Sequence, residues 1–126
     1  MMDRAILERV ARVYDTSSYE AGVPAILALA HPDIELVTVA PWLDRTSYRG
    51  ADGVRDYFAA LEEVFGRLEY ELVDLTIHGE AVIAEVLVRG EVSAAIFQVL
   101  WFEDGKLRRV QGFLDRDSAR AAADAS

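Results

Sequence analysis

The sequence predicts an α+β fold with elements in the order ααβαββββ, in which a curved antiparallel sheet wraps around three helices from the first half of the chain. Apolar residues repeat every three or four positions up to Gly66, as in amphipathic helices, and every second position beyond it, as in strands. Short turns separate the strands of the second half, and turns this short join antiparallel neighbours. With 126 residues, no internal repeat and no linker, the chain predicts one domain spanning residues 1–126.

Three helices are predicted before Gly66, and each has an apolar stripe at helical spacing. They cover residues 3–15, about 19–30, and the stretch between Gly50 and Gly66, where glycine provides a stop signal. A strand is predicted between the second and third helices, because apolar residues alternate from residue 34 onward.

The second half predicts four strands joined by hairpin turns and followed by a short alanine-rich tail. The strands are Leu68–Ile77, Ala81–Arg89, Val92–Phe102 and Leu107–Leu114. The tail begins at Arg116, and we expect it to form a short helix that frays.

The strand Val92–Phe102 is apolar on both of its faces, whereas an antiparallel strand that faces water is polar on one side. One face can cover the helices, and the other needs a second covering layer. We expect a homodimer through the outer face of the sheet. The alternative is a strand that curls into the domain's own core at both ends.

Composition excludes several classes of function. The formal charge is −9, from 22 acidic and 13 basic residues, which argues against nucleic acid and against an anionic membrane surface as partners. The chain has no cysteine, so disulfides and thiolate chemistry are absent. Its start lacks the pattern of a signal peptide and no apolar run is long enough to span a bilayer, so we expect a cytoplasmic protein. No phosphate loop or dinucleotide fingerprint is present, and two isolated histidines predict no metal site and no cofactor.

Four segments resemble the nuclear-transport-factor-two-like superfamily, and most closely its SnoaL-like branch, which includes polyketide cyclases. They are His31-Pro32-Asp33-Ile34-Glu35, the run from Tyr48 to Arg55, the hairpin from Trp101 to Leu107, and Phe113-Leu114-Asp115-Arg116. The resemblance spans most of the chain. It implies a cystatin-like α+β cone with a largely apolar pocket for a small apolar or carbonyl-containing ligand.

Asp115 is the candidate catalytic residue, because it matches an aspartate common near the end of SnoaL-like sequences. In the cyclases of that branch an aspartate acts as general acid/base without metal or organic cofactor. A carboxylate in an apolar cavity would have its pKa raised toward neutrality, where it exchanges protons efficiently. The alternative is that Asp115 caps the C-terminal helix that begins just after it.

The other residues assigned to the substrate pocket are aromatic or carry an amide. Gln98 and Gln111 are predicted to orient a carbonyl or hydroxyl group, and the walls are Tyr14, Trp42, Tyr48, Tyr57 and Phe113. The alternative for Trp42 and Tyr48 is that they form the hydrophobic lid of a closed core. Glu85 lies in an otherwise apolar strand, so it is either a pocket carboxylate or an outer-face residue paired with an arginine.

Two functions from different classes follow from the resemblance and the pocket residues. The first is a cofactor-independent cyclase, isomerase or lyase acting through Asp115, and the second is a non-catalytic ligand-binding or dimerisation module. Ketosteroid isomerisation fits poorly, because the aspartate that acts as base in that family corresponds here to Ala40, before Pro41. Epoxide hydrolysis also fits poorly, because its arginine and second acid would be Arg89 and Glu91 at a predicted turn.

Overall fold

The computed structural model describes residues 4–14, 19–38, 47–66, 69–90 and 93–125. Their elements are the helices α1 (Arg4–Tyr14), α2 (Tyr19–Leu29), α3 (Gly50–Phe65) and α4 (Arg116–Asp124), and the strands β1 (Ala30–Val37), β2 (Ser47–Arg49), β3 (Glu69–His78), β4 (Ala81–Arg89), β5 (Ala94–Glu103) and β6 (Lys106–Phe113). The predicted α+β class is confirmed, α4 is the helix predicted for the tail, and β2 is an additional strand before α3.

The six strands form one curved sheet in the order β2-β1-β6-β5-β4-β3. Strands β3 to β6 are antiparallel neighbours, as the short turns predicted. β1 pairs with β6 in parallel, so the sheet is not antiparallel throughout. The prediction missed this pairing because β1 and β6 are far apart in sequence, and local periodicity carries no information about such contacts.

The main hydrophobic core lies between the inner face of the sheet and helices α1, α2 and α3. Val10 of α1 and Val54 of α3 are fully buried against residues such as Val82, Val86 and Leu100. These sheet residues alternate along β4 and β5, so their strands present one apolar face to the helices. The helices therefore close one side of the cone.

The junction between β2 and α3 depends on two glycines. Gly50 has a φ of 71°, in the left-handed region that favours glycine. At Gly53 a Cβ atom would lie 2.9 Å from the carbonyl carbon of Tyr48, so only glycine lets the helix approach the strand this closely. This packing positions Tyr48 in the core, where it is 3% exposed.

The outer face of the sheet carries a second apolar cluster, and α4 packs on it. Ala119 and Ala123 of α4 are buried against Ala81, Ile83 and Val99. The predicted C-terminal helix is present, but it docks through these two alanines where we expected it to fray. The chain thus covers part of the face for which we expected a second copy of the protein.

Within the part of the chain that the structure describes, no helix is both long enough and apolar enough to cross a membrane.

Candidate functional site

A small cavity of about 70 Å³ lies between α1, α2, α3 and the inner face of the sheet. Most of its walls are aliphatic or aromatic, and they include Ile26 of α2, Phe58 of α3 and Leu100 of β5. No charged side chain is among the described residues that line it. The cavity is therefore an apolar environment with few polar groups.

Tyr14 and Gln98 supply the polar pair of this cavity. Tyr14 ends α1 and Gln98 lies in the middle of β5, and the tyrosine hydroxyl donates a hydrogen bond to Oε1 of the glutamine. Burial raises the pKa of the Tyr14 phenol well above its ordinary value, and the nearby Tyr57 raises it further. The phenol therefore stays neutral and keeps its proton at any physiological pH.

This pair retains a hydrogen-bond donor for a ligand. The bond from Tyr14 uses only Oε1, so it leaves the two Nε2 hydrogens of Gln98, a residue that lines the cavity, for other acceptors. Rotating the amide by half a turn lets Nε2 donate to the phenol oxygen, and the phenol proton becomes available instead. In both arrangements the pair offers an N–H or O–H to an acceptor.

The predicted pocket residues separate into two groups. Tyr14, Tyr57 and Gln98 line the cavity, and their role in ligand binding stays a prediction. Tyr48 is buried behind Tyr57, with ring centroids 5.4 Å apart, and does not line it. Trp42 lies outside the described residues.

Gln111 and Phe113 require a correction, because they lie on the outer face of the sheet. Gly112 lines the cavity, and successive residues of a strand point to opposite faces, so its two neighbours point away. Phe113 packs in the cluster beneath α4, and Gln111 accepts a hydrogen bond from Arg109 at 2.9 Å. The alternation along β6 was predicted correctly, but the face was assigned wrongly.

Asp115 occupies the N-cap of α4 and does not line the cavity. Its Oδ1 accepts from the backbone N–H of Ser118 at 2.7 Å, and its Oδ2 from the Ser118 hydroxyl at 2.8 Å. These hydrogen bonds hold the pKa of the Asp115 carboxyl below its usual value. A general acid working near neutral pH needs the opposite shift. The geometry agrees with the capping alternative.

The remaining polar candidates also lie outside the cavity. Glu85 pairs with Arg116 of α4 at 2.5 Å, which agrees with the predicted outer-face position.

Among the described residues, no three histidine, cysteine or acidic side chains are grouped closely enough to hold a metal ion.

Tyr70 is a lining residue that the sequence analysis missed. It alternates with Leu72 on β3, so the strand's period already placed it on the inner face.

Comparison with known families adds to this geometry. Residues 10–110 match the family model of the SnoaL-like domain, which covers most of the chain. The chain belongs to the SnoaL-like family. This confirms the resemblance drawn from the four sequence segments. A search of curated proteins finds no match for this SnoaL-like domain.

Solved structures of similar fold include a protein described as a SnoaL-like polyketide cyclase from Jannaschia sp. CCS1. It is 18% identical, with a TM-score of 0.73, over 100% of this chain and 99% of that chain. TerC, co-crystallised with polyporic acid, is 21% identical, with a TM-score of 0.72, over 96% of this chain and 98% of that chain. A protein of cystatin-like fold from Xanthomonas campestris is 17% identical, with a TM-score of 0.73, over 94% of this chain and 96% of that one. At these identities the likeness shows the fold, and it confirms the predicted cystatin-like architecture.

Proposed function

We propose that this SnoaL-like domain binds a small neutral molecule that carries a carbonyl oxygen on a mostly apolar body. The observation that carries the proposal is the Tyr14–Gln98 pair, which holds a spare hydrogen-bond donor inside an apolar cavity. A carbonyl oxygen accepts such a hydrogen bond, and the apolar side chains of the remaining walls suit a hydrocarbon body. The co-crystallisation of TerC with polyporic acid gives a precedent for a small molecule on this fold.

The proposed ligand is neutral because the cavity offers no counter-charge among its described lining residues. Moving an ion from water into an apolar environment costs several kcal/mol unless an opposite charge compensates it. Tyr14 also stays neutral, because burial raises the pKa of its phenol. A carboxylate or an ammonium ligand would therefore bind much more weakly than a ketone of the same shape.

The cavity volume of about 70 Å³ limits the ligand to a small molecule unless the walls move. At about 30 Å³ per water molecule, this volume holds roughly two waters. Pockets for drug-sized ligands are larger, at about 300–1,000 Å³. A ring-sized molecule therefore needs the cavity walls to move apart when it binds.

Binding is preferred here to cyclisation or isomerisation, because acid/base catalysis needs a group that accepts a proton near neutral pH. No aspartate, glutamate or histidine is among the described residues that line the cavity. Asp115, the predicted acid/base, is tied to Ser118 at the start of α4.

A matched pair of ligands tests the proposal. Cyclohexanone and methylenecyclohexane have nearly the same shape, but only the ketone accepts a hydrogen bond. We expect the ratio of ketone affinity to alkene affinity to be about three- to tenfold higher in the wild-type domain than in the double variant Tyr14→Phe/Gln98→Met, which removes both donors. Comparing this ratio between the two proteins cancels the different hydration of the two molecules.

The control is Gln111→Met, which makes the same glutamine replacement on the outer face and should keep the wild-type ratio of ketone affinity to alkene affinity. The proposal is contradicted if this ratio is the same in the double variant as in the wild-type domain.

We also propose a homodimer through the part of the outer face that α4 leaves open. The half-buried Phe97 and Phe113 form a cross-strand pair at the edge of the area that α4 covers, with Arg116 over the Phe97 ring, and Leu114, the next residue in the chain, is 63% exposed. An apolar patch of this kind is typical of an interface. Sedimentation should show a dimer that Leu114→Glu converts to a monomer, whereas a wild-type protein that stays monomeric at all concentrations contradicts the proposal.

A further inference from the structure

Gly112 is the one residue without a side chain among the described residues that line the cavity between the helices and the sheet, which we call the central cavity. It lies near the end of β6, where that strand pairs regularly with β5. The register is unbroken from the pair Leu100–Val110 to the pair Phe97–Phe113. The register shift in this pairing lies nearer the start of β6.

The backbone at position 112 gives no reason for a glycine. Glycine within a strand often marks a bulge, a tight bend, or a place that a ligand or another part of the chain approaches closely. The unbroken pairing argues against a bulge or a tight bend, and the φ of Gly112 is not positive. A glycine in a regular strand also lowers stability relative to alanine, because it loses more conformational freedom on folding. Since Gly112 faces a cavity, the approach of a ligand is the reason that fits its position.

Gly112 lies directly opposite Gln98 on the neighbouring strand. The Cβ positions of such a cross-strand pair are about 4.5–5.5 Å apart on one face of the sheet. The partner of Gln98 on its other side is Ala84, which is fully buried in the core, whereas Gly112 is only partly buried. The space beside the Gln98 side chain is therefore closed toward β4 and open toward β6.

The next pair along the same two strands is apolar. Leu100 pairs with Val110, and both residues line the central cavity. Residues two positions apart share a face and are separated by about 7 Å along a strand. The sheet therefore gives the cavity an aliphatic wall at Leu100 and Val110, and one step further an open space beside the Gln98 amide.

We propose that Gly112 is a specificity-determining residue of the ligand site, because its missing side chain lets a carbonyl oxygen reach the Gln98 amide. The hydrocarbon body of the ligand lies against Leu100 and Val110, and its carbonyl group lies over Gly112. This inference rests on the binding function proposed above, and it adds the orientation of the ligand and the residue that sets it. A side chain at position 112 would leave the cavity apolar and cover its hydrogen-bonding group.

Two substitutions that place carbon atoms beside the Gln98 amide test this role. Gly112→Ala adds a methyl group and Gly112→Val adds an isopropyl group. The measured quantity is the ratio of cyclohexanone affinity to methylenecyclohexane affinity, in which the effect of a smaller cavity on both molecules cancels. We expect the ratio to fall in Gly112→Ala. In Gly112→Val it should fall by about three- to tenfold, to the value of Tyr14→Phe/Gln98→Met.

Val13→Ile is the matched control, because it adds one carbon atom to the same cavity from α1, on the helical wall. It should change the affinities of both molecules alike and keep the wild-type ratio. The side-chain amide of Gln98 gives a second readout by NMR. Cyclohexanone should shift its resonances in the wild-type domain and in Val13→Ile, and should no longer do so in Gly112→Val.

Stability separates a role in binding from a role in packing. Gly112→Ala should not lower the free energy of unfolding, because alanine fits a regular strand and restricts the unfolded chain more than glycine does. A lower free energy of unfolding in urea would mean that the glycine makes room for another part of the chain, which overturns the proposal.

The binding results also separate this inference from the function on which it rests. A wild-type ratio equal to that of Tyr14→Phe/Gln98→Met contradicts the binding function, and the role of Gly112 with it. A higher wild-type ratio that both Gly112 variants retain overturns the role of Gly112 alone. An equal fall of the ratio in Val13→Ile also overturns that role, because any reduction of the cavity would then have the same effect.

Discussion

The hydrogen bond between Tyr14 and Gln98 links α1 to the middle of the sheet, and its contribution to stability can be measured. We consider Tyr14→Phe and Gln98→Met, each of which removes one partner and largely keeps side-chain volume. Either substitution alone removes the hydrogen bond and leaves the polar group of the other residue buried without a hydrogen-bond partner. Such a loss costs about 1–3 kcal/mol when no water can replace the missing group.

The adjacent cavity places the expected cost near the lower end of that range. Its volume of about 70 Å³ holds roughly two waters, so the orphaned group can be rehydrated. We expect each single variant to lose about 1–1.5 kcal/mol of unfolding free energy, which lowers the melting temperature by about 4–6 °C. The double variant should lose little more than either single variant, giving a coupling energy of about 1 kcal/mol.

Urea unfolding at equilibrium measures these values, provided that the dependence on denaturant is the same in all four proteins. Gln111→Met serves as the control partner, because Gln111 lies on the outer face and its replacement should add independently to Tyr14→Phe. A coupling energy below about 0.3 kcal/mol, within the usual error of additivity, would refute the reasoning.

Three further predictions follow from the structure. Burial raises the pKa of the Tyr14 phenol in the folded protein, so above about pH 10 the phenol ionises in the unfolded chain while it is still protonated in the folded one. The free energy of unfolding of the wild type should therefore fall relative to that of Tyr14→Phe as the pH rises above about 10. A pH-independent difference in urea unfolding would contradict this. Asp115→Ala should increase hydrogen exchange in α4, and Asp115→Asn should increase it less, because asparagine still caps a helix. Because folding lowers the pKa of the Asp115 carboxyl, the stability that this cap adds to the helix is lost as the pH falls below the ordinary aspartate value and through the lowered pKa. Exchange in α4 that is unchanged in Asp115→Ala argues against the cap. Leu100→Ala should lower the free energy of unfolding in urea by about 2–3 kcal/mol, because Leu100 is buried. The same substitution enlarges the cavity beside the Tyr14–Gln98 pair and should tighten cyclohexanone binding. Unchanged or weaker binding contradicts the assignment of the ligand to this cavity.

Periodicity predicted most of the fold, because each element carries its own local signal. The apolar stripe of α3 and the alternation in β4 and β5 are examples, and the turn at Asp104-Gly105 has positive φ at both residues, of 52° and 78°. The parallel pairing of β1 with β6 could not be predicted in this way, since it joins segments distant in sequence. The three residues of β2 are too few to show any period.

The candidate site was harder to predict, because alternation shows which residues share a face but not which face is inside. Gln111, Phe113 and Asp115 were correctly grouped along β6 and its end, and then assigned to the wrong side of the sheet. Gly112 lies between Gln111 and Phe113 and lines the cavity. Because glycine has no side chain, its position gives no hydrophobic signal that would show which face of β6 is the inner one. Gln98 was identified because an amide among apolar residues needs a buried hydrogen-bond partner.

The spectrum of side-chain amides tests the central claim most directly. The chain contains two glutamines, Gln98 and Gln111, and no asparagine, so only two side-chain amide NH₂ groups are expected. A ketone that binds in the central cavity should shift the Gln98 pair saturably and leave the Gln111 pair in place. If cyclohexanone shifts neither pair, or only that of Gln111, the central cavity is not the binding site and the account is wrong.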